Sequence, residues 1–121
     1  MKLIFNNSQL SSTPEPPPEK YKDYGDGFES EARVLQLEPP HLFSMSWEDG
    51  IVSFKLEEMG TEVKLVLTHE RLPEKRDEKI GTLAGWHTHL NILHDQLGDQ
   101  ESPGFWSVIV ALEGEYEERI D

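Results

Sequence analysis

Between residues 42 and 69 the chain alternates apolar and polar positions with a period of two. Phe43, Met45 and Trp47 share one side of the first run, and Val52, Phe54 and Leu56 share one side of the second. Val63, Leu65 and Leu67 do the same in the third, with His69 in the same register. This is the pattern of half-buried strands, because successive side chains of a strand point to opposite faces. Glu48-Asp49-Gly50 and Met59-Gly60 fall between the runs and supply tight turns. The spacing therefore predicts an antiparallel meander with one apolar face. Upstream, Phe28 to Leu37 reads as a further strand that stops at Pro39-Pro40, where the ladder cannot continue. Lys2 to Phe5 reads as a short strand.

After Pro73 the period changes to about 3.6. Ile80, Leu83, Trp86, Leu90, Leu93 and Leu97 form one stripe of a helix expected from about Glu74 to Leu97, with Gly98 as its stop. Ser102-Pro103 then has the form of an N-cap and first helical residue. Phe105, Ile109, Leu112, Tyr116 and Ile120 recur at helical spacing, which predicts a second, shorter helix despite Gly114. Residues 11–27 make a Pro/Gly-rich loop: four prolines between Ser11 and Glu19 forbid helix or ladder, and Gly25 and Gly27 punctuate a turn. A sheet apolar on one face and a helix apolar on one stripe bury each other. The fold expected is α+β, one domain over residues 1–121, in which the long helix packs on a curved antiparallel meander and a short helix follows.

Composition narrows the partners. Of 121 residues, 24 are acidic and 11 are Lys or Arg, a formal charge of -13. Such a surface repels phosphate backbones, and no basic stripe offsets it, which argues against nucleic acid and anionic membranes. The absence of cysteine removes disulfides, thiolate catalysis and Cys-based zinc sites. The N-terminal residues lack a secretory pattern and no apolar run is long enough to span a bilayer, so a cytoplasmic location is expected.

Five histidines invite a metal reading. On one helix His87 and His89 are about 200° apart, and His87 and His94 share a face but lie ~10 Å apart along the axis. Neither spacing chelates one ion, there is no HExxH, and no metal or cofactor is expected. Glu57-Glu58 and Glu113 to Glu118 read as solvated faces. No nucleophile elbow, phosphate-cradling loop or dinucleotide fingerprint is present, so no catalytic residue is named. His69 differs, since it continues a buried face at the open end of its strand. It is either a structural histidine or a polar tip presented to a ligand. Phe43, Met45, Trp47, Phe54, Leu56, Leu65, Leu67, His69, Trp86 and Leu90 are the candidate cavity residues, either as plain core or as the lining of a ligand site.

The run Leu37-Glu38-Pro39-Pro40 leading into Phe43-Ser44-Met45-Ser46-Trp47 resembles the activator-of-heat-shock-protein-90-ATPase homologue family, within the SRPBCC (START-like, helix-grip) superfamily. Leu67-Thr68-His69, Leu72-Pro73, Gly85-Trp86, Leu90 and Leu93 continue the likeness. Glu19-Lys20-Tyr21-Lys22 and the Phe105-Trp106…Tyr116-Glu117 tail resemble a bacterial subgroup of it. The resemblance implies a helix-grip fold, often with a cavity between sheet and long helix. Three functions follow as expectations: a non-catalytic binder of a small hydrophobic ligand, a co-chaperone-like module that meets a chaperone partner, and a cyclase- or hydrolase-type enzyme using His69. Members of the family normally begin with an additional strand and two short helices, and this chain begins after them. That would leave Thr61 to His69 as an edge, so either a homodimer covering it or a natural start further upstream is expected.

Overall fold

Two of the strand pairings in this protein are set by two-residue turns. The computed structural model of the protein describes residues 1–24 and 28–120, so the turn expected at Gly25 and Gly27 lies outside the described residues. The strands are β1 (Lys2–Phe5), β2 (Phe28–Glu31), β3 (Val34–Glu38), β4 (Leu42–Trp47), β5 (Gly50–Met59) and β6 (Glu62–Glu70), and the helices are α1 (Arg76–Leu97) and α2 (Phe105–Arg119). The architecture is α+β, as expected. β1 pairs with β2, and β3-β4-β5-β6 form a separate antiparallel sheet in that order. The chain divides into two compact units, one of Met1–Leu3 and Glu29–Leu72, the other of Ile4–Phe28 and Pro73–Asp121.

In the first unit, Trp47 pairs with Gly50 and Met59 with Glu62, so each hairpin closes over two residues. The first residue of each loop is left-handed, Glu48 at φ 53° and Gly60 at φ 70°, the twist that matches paired strands. The single strand expected over residues 28–37 is instead two strands in different sheets. The backbone changes partners at Ala32 and Arg33: Ala32 N–H donates to Met1 O (2.8 Å), Arg33 N–H to Ser46 Oγ (2.7 Å), and Ser46 N–H to Arg33 O (2.8 Å). β3 is irregular again between Val34 and Gln36. Periodicity missed the break because Ala32, which is buried, does not interrupt the apolar pattern.

In the second unit, α1 begins at Arg76 and α2 at Phe105, with Gly104 rather than Ser102 at the cap position. The cap comes from the Pro-rich loop. Glu15 accepts from Ser107 N–H (2.5 Å) and Ser107 Oγ–H (2.8 Å), placing a carboxylate at the positive end of the helix. A Cβ on Gly104 would collide with that carboxylate, so a larger cap residue would make the Glu15 side chain shift. Arg76 serves the other end, donating to the carbonyls of Glu117 (2.6 Å) and Ile120 (2.9 Å). Ser102 is clamped through its backbone: its N–H donates to Ser12 Oγ and its carbonyl accepts from Thr13 Oγ1 (2.8 Å).

Residues 8–21 thus run as a strap over α2. Trp106 Nε1–H donates to Ser8 Oγ (3.0 Å), and Tyr21 stacks on the Trp106 ring at 5.1 Å. Buried Glu113 accepts from the Tyr21 hydroxyl (2.6 Å) and from Lys20 Nζ (2.9 Å). Short 3-10 turns at Asn7–Gln9 and Glu19–Tyr24 bracket the prolines. Ala84, Ile92, Phe105, Trp106, Ile109 and Leu112 form the apolar core of this unit. The large members contribute roughly 1.5–3 kcal/mol each by leaving water.

The buried line of α1 differs from the expected stripe. Ile80, Ala84, Thr88 and Ile92 are buried at i, i+4 spacing, whereas Leu93 and Leu97 are exposed. Small residues allow close approach to α2: a Cβ on Gly85 would sit 3.9 Å from Ile109 Cδ1. Thr88 satisfies its buried hydroxyl on Ala84 O (2.7 Å). Removing the strap's anchors tests this arrangement by urea unfolding. Glu15→Ala should cost about 1–2 kcal/mol as a lost cap, and Tyr21→Phe about 1–3 kcal/mol by leaving Glu113 short of a donor. Exposed Glu101→Ala should stay within about 0.5 kcal/mol. Equal losses for Glu15→Ala and Glu101→Ala would contradict the cap.

Candidate functional site

Register places the candidate residues of the sheet in rows. Leu37, Phe43, Phe54 and Leu67 lie directly across from one another on β3 to β6, and Val34, Met45, Val52 and His69 form the neighbouring row. Leu56 pairs with Leu65. Paired residues share a face, and alternation keeps Trp47 with Met45 and Phe43. Eight of the expected cavity residues, Phe43, Met45, Trp47, Phe54, Leu56, Leu65, Leu67 and His69, therefore occupy one face. The reverse side carries Ser44, Ser53 and Thr68 in one row and Lys64 opposite Glu57. Ser44 and Ser53 are hydroxyl to hydroxyl at 3.1 Å. Trp86 and Leu90 lie on α1, in the other unit, and are half-buried.

Burial of the apolar face is graded. Val52 is fully buried and Met45 is 5% exposed, while Leu56 is 37%, Leu37 62% and Val63 62% exposed. The Phe43 and Phe54 rings lie between these extremes, half-buried, with centroids 6.0 Å apart. The face is closed at its His69 end and open toward the β5–β6 turn.

His69 owes its place to a glycine. A Cβ on Gly50 would overlap Glu70 O and approach His69 Nε2 to 3.2 Å, so only glycine lets the imidazole and the β6 backbone come this close. Burial lowers the His69 pKa, and the Glu48 carboxylate partly opposes the shift. The neutral imidazole presents one donor and one acceptor nitrogen. Sequence periodicity names His69, and Glu57-Glu58 are exposed as a solvated run should be, with Glu58 in addition on the apolar side of β5. Its even spacing with Val52, Phe54 and Leu56 was the signal that placed it on the apolar face, opposite Val63.

The helical histidines are each engaged separately. His87 Nδ1 lies 3.0 Å from the Tyr116 hydroxyl, and the His89 ring packs 5.0 Å from Phe105 and 6.4 Å from Trp86. Among the described residues no group of three His, Asp or Glu side chains is placed to hold a metal ion. Nor is any helix among them long and apolar enough to cross a membrane.

Residues 17–98, more than half of the chain, match the family model described as Activator of Hsp90 ATPase homolog 1-like protein. The chain belongs to this family. A Bordetella parapertussis protein solved in solution by NMR is similar throughout, with a TM-score of 0.78 and 31% identity over 98% of this chain. The match takes in 64% of that protein's chain, so this chain spans less than two-thirds of its length. No curated protein matches. The family-matched stretch contains the whole apolar sheet face together with Trp86 and Leu90, whereas Glu15 and α2 lie outside it.

Burial holds His89 at a pKa of about 4, below its ordinary 6.5. The unfolded chain therefore takes up a proton on this side chain near pH 6.5 while the folded chain does not, and stability falls as pH drops from 6.5 toward 4. The full effect is about 3 kcal/mol. His89→Gln should flatten the decline between pH 6.5 and 5, where most carboxylates are still ionised. Urea unfolding curves that stay parallel for the two proteins across that range would contradict a buried neutral His89.

Proposed function

We propose that the protein is a non-catalytic binder of a small hydrophobic molecule, held against the apolar face of the β3–β6 sheet. One observation carries the reading: register gathers Phe43, Phe54, Leu56, Leu65 and Leu67 on one side, and part of that side stays open to solvent. A contiguous apolar surface with few polar groups at its ends is the chemistry of an apolar-ligand site.

The co-chaperone-like reading draws on the family description. A chaperone-docking surface built on aromatic anchors would favour it. The large hydrophobics exposed among the described residues, such as Leu35, Leu37, Met59, Val63 and Leu97, are aliphatic instead. The cyclase or hydrolase reading requires a second polar group near His69 on the apolar face. Glu58 is six residues along β5 from Val52, the partner of His69, about 20 Å at strand rise and too far for concerted proton transfer. The carboxylate that acts on His69 is Glu48, which belongs to the β4–β5 turn and not to the face. A homodimer through residues 61–69 is favoured by the position of β6 at the edge of its sheet. Light scattering at micromolar concentration should then report twice the monomer mass, reduced by Leu65→Lys.

Tryptophan placed in the face tests the main proposal. Phe54→Trp and Leu65→Trp should abolish Nile red binding with little change in thermal stability, because the added ring fills open space. Thr68→Trp, on the reverse side, should leave binding intact. If the face is solid core, the first two variants will instead lose about 1–3 kcal/mol, and the wild-type protein will not bind the dye.

A further inference from the structure

The apolar face carries formal charge at one position. Along β5, Val52, Phe54, Leu56 and Glu58 share a side, and Glu58 stands directly across from Val63. The lysines of the same hairpin are on the reverse side, where Lys55 faces Val66 and Lys64 faces Glu57. Lys55 Nζ also lies 3.7 Å from the Glu57 carboxylate. Glu62 and Glu70 also lie on the reverse side, across from Met59 and Ile51, so both lysines of the hairpin and the other strand carboxylates are there, while no salt bridge engages Glu58 among the described residues. Glu58 sits at the open end of the face, beside exposed Leu56 and Val63. At the closed end His69 stands across from Val52, near the Glu48 carboxylate of the adjoining turn.

Resting on the ligand-binding reading above, we infer that the face selects amphiphiles with a cationic head. The hydrocarbon body lies along Phe43, Phe54, Leu65 and Leu67, and a protonated or quaternary amine reaches Glu58 at the rim. A carboxylate or sulfate head in the same pose meets an uncompensated negative charge, on a chain whose formal charge is already -13. A neutral head meets neither attraction nor repulsion. Glu58 is solvent-exposed, so its effect is one of selection rather than raw affinity: about three- to fivefold between cationic and neutral heads, as for exposed ion pairs.

Isothermal titration with three decyl compounds below their micellar concentrations reads this directly. The probes are decyltrimethylammonium, decyl maltoside and decanoate, against the wild-type protein, Glu58→Gln and Glu57→Gln. The expected order for the wild type is cation tightest and decanoate weakest. Glu58→Gln should bring the three together. Glu57→Gln removes the same charge from the opposite side and should keep the wild-type order. Equal binding of all three heads by the wild type would overturn the inference and leave the apolar-ligand reading standing. So would an equal effect of the two substitutions, which would trace the preference to the overall charge. If no decyl compound binds, both fall together.

Discussion

A slip of one residue between β5 and β6 would move Leu65 and Leu67 to the side of Lys55 and Glu57, and would bring Lys64 and Thr68 across from the Phe54 row. The division of the sheet into an apolar face and a mixed face of hydroxyls, charges and a few aliphatics rests on preventing that slip. Two loops hold the register. Gly60 adopts a positive φ of 70°, which costs other residues energy, and Gly50 lets β6 pass at a distance no side chain would tolerate. The same contact at Gly50 admits the His69 ring, so the constraint that fixes pairing also fixes the one imidazole on the face.

The second unit is organised by a different device. Its helices meet where Ala84, Gly85 and Thr88 of α1 let the backbone approach Ile109, beside the large side chains of Phe105, Trp106 and Leu112. The strap adds polar anchors from Ser102 and Glu15 at the start of α2 to Glu113 in its middle. Two of the anchors satisfy groups that burial would otherwise strand, the Trp106 indole and the Glu113 carboxylate, and Glu15 takes up the Ser107 amide at the helix start. The prolines between the anchors limit the freedom of the unfolded strap and so lower the entropy lost on docking.

Much of this was legible in the sequence. The period-two runs gave β4, β5 and β6 and the face shared by Phe43, Phe54, Leu65 and His69, because alternation and short turns leave one register. The helical repeats gave α1 and α2 to within a few residues. What escaped depends on contacts distant in the chain. Ala32 and Arg33 change partners because Met1 and Ser46 accept or offer hydrogen bonds there. Ser102 looked like a cap, but Glu15, some ninety positions earlier, takes that role. The Ile80, Ala84, Thr88, Ile92 line was hidden because small and hydroxylated residues do not stand out as apolar, although their fourfold spacing was present throughout.

Family membership and a similar solved structure agree with the α+β architecture. Function must come from the site, since one scaffold serves unrelated activities. If the reading is right, the face defined by register, and not its reverse, meets an apolar ligand. Methyl-detected NMR during titration with decyl maltoside is the direct measurement. Saturable shifts should be confined to the methyls of Leu56, Val63, Leu65 and Leu67, with Ile51 and Val66 on the reverse side unmoved. Shifts centred on Ile51 and Val66, or none at saturating probe, would contradict it.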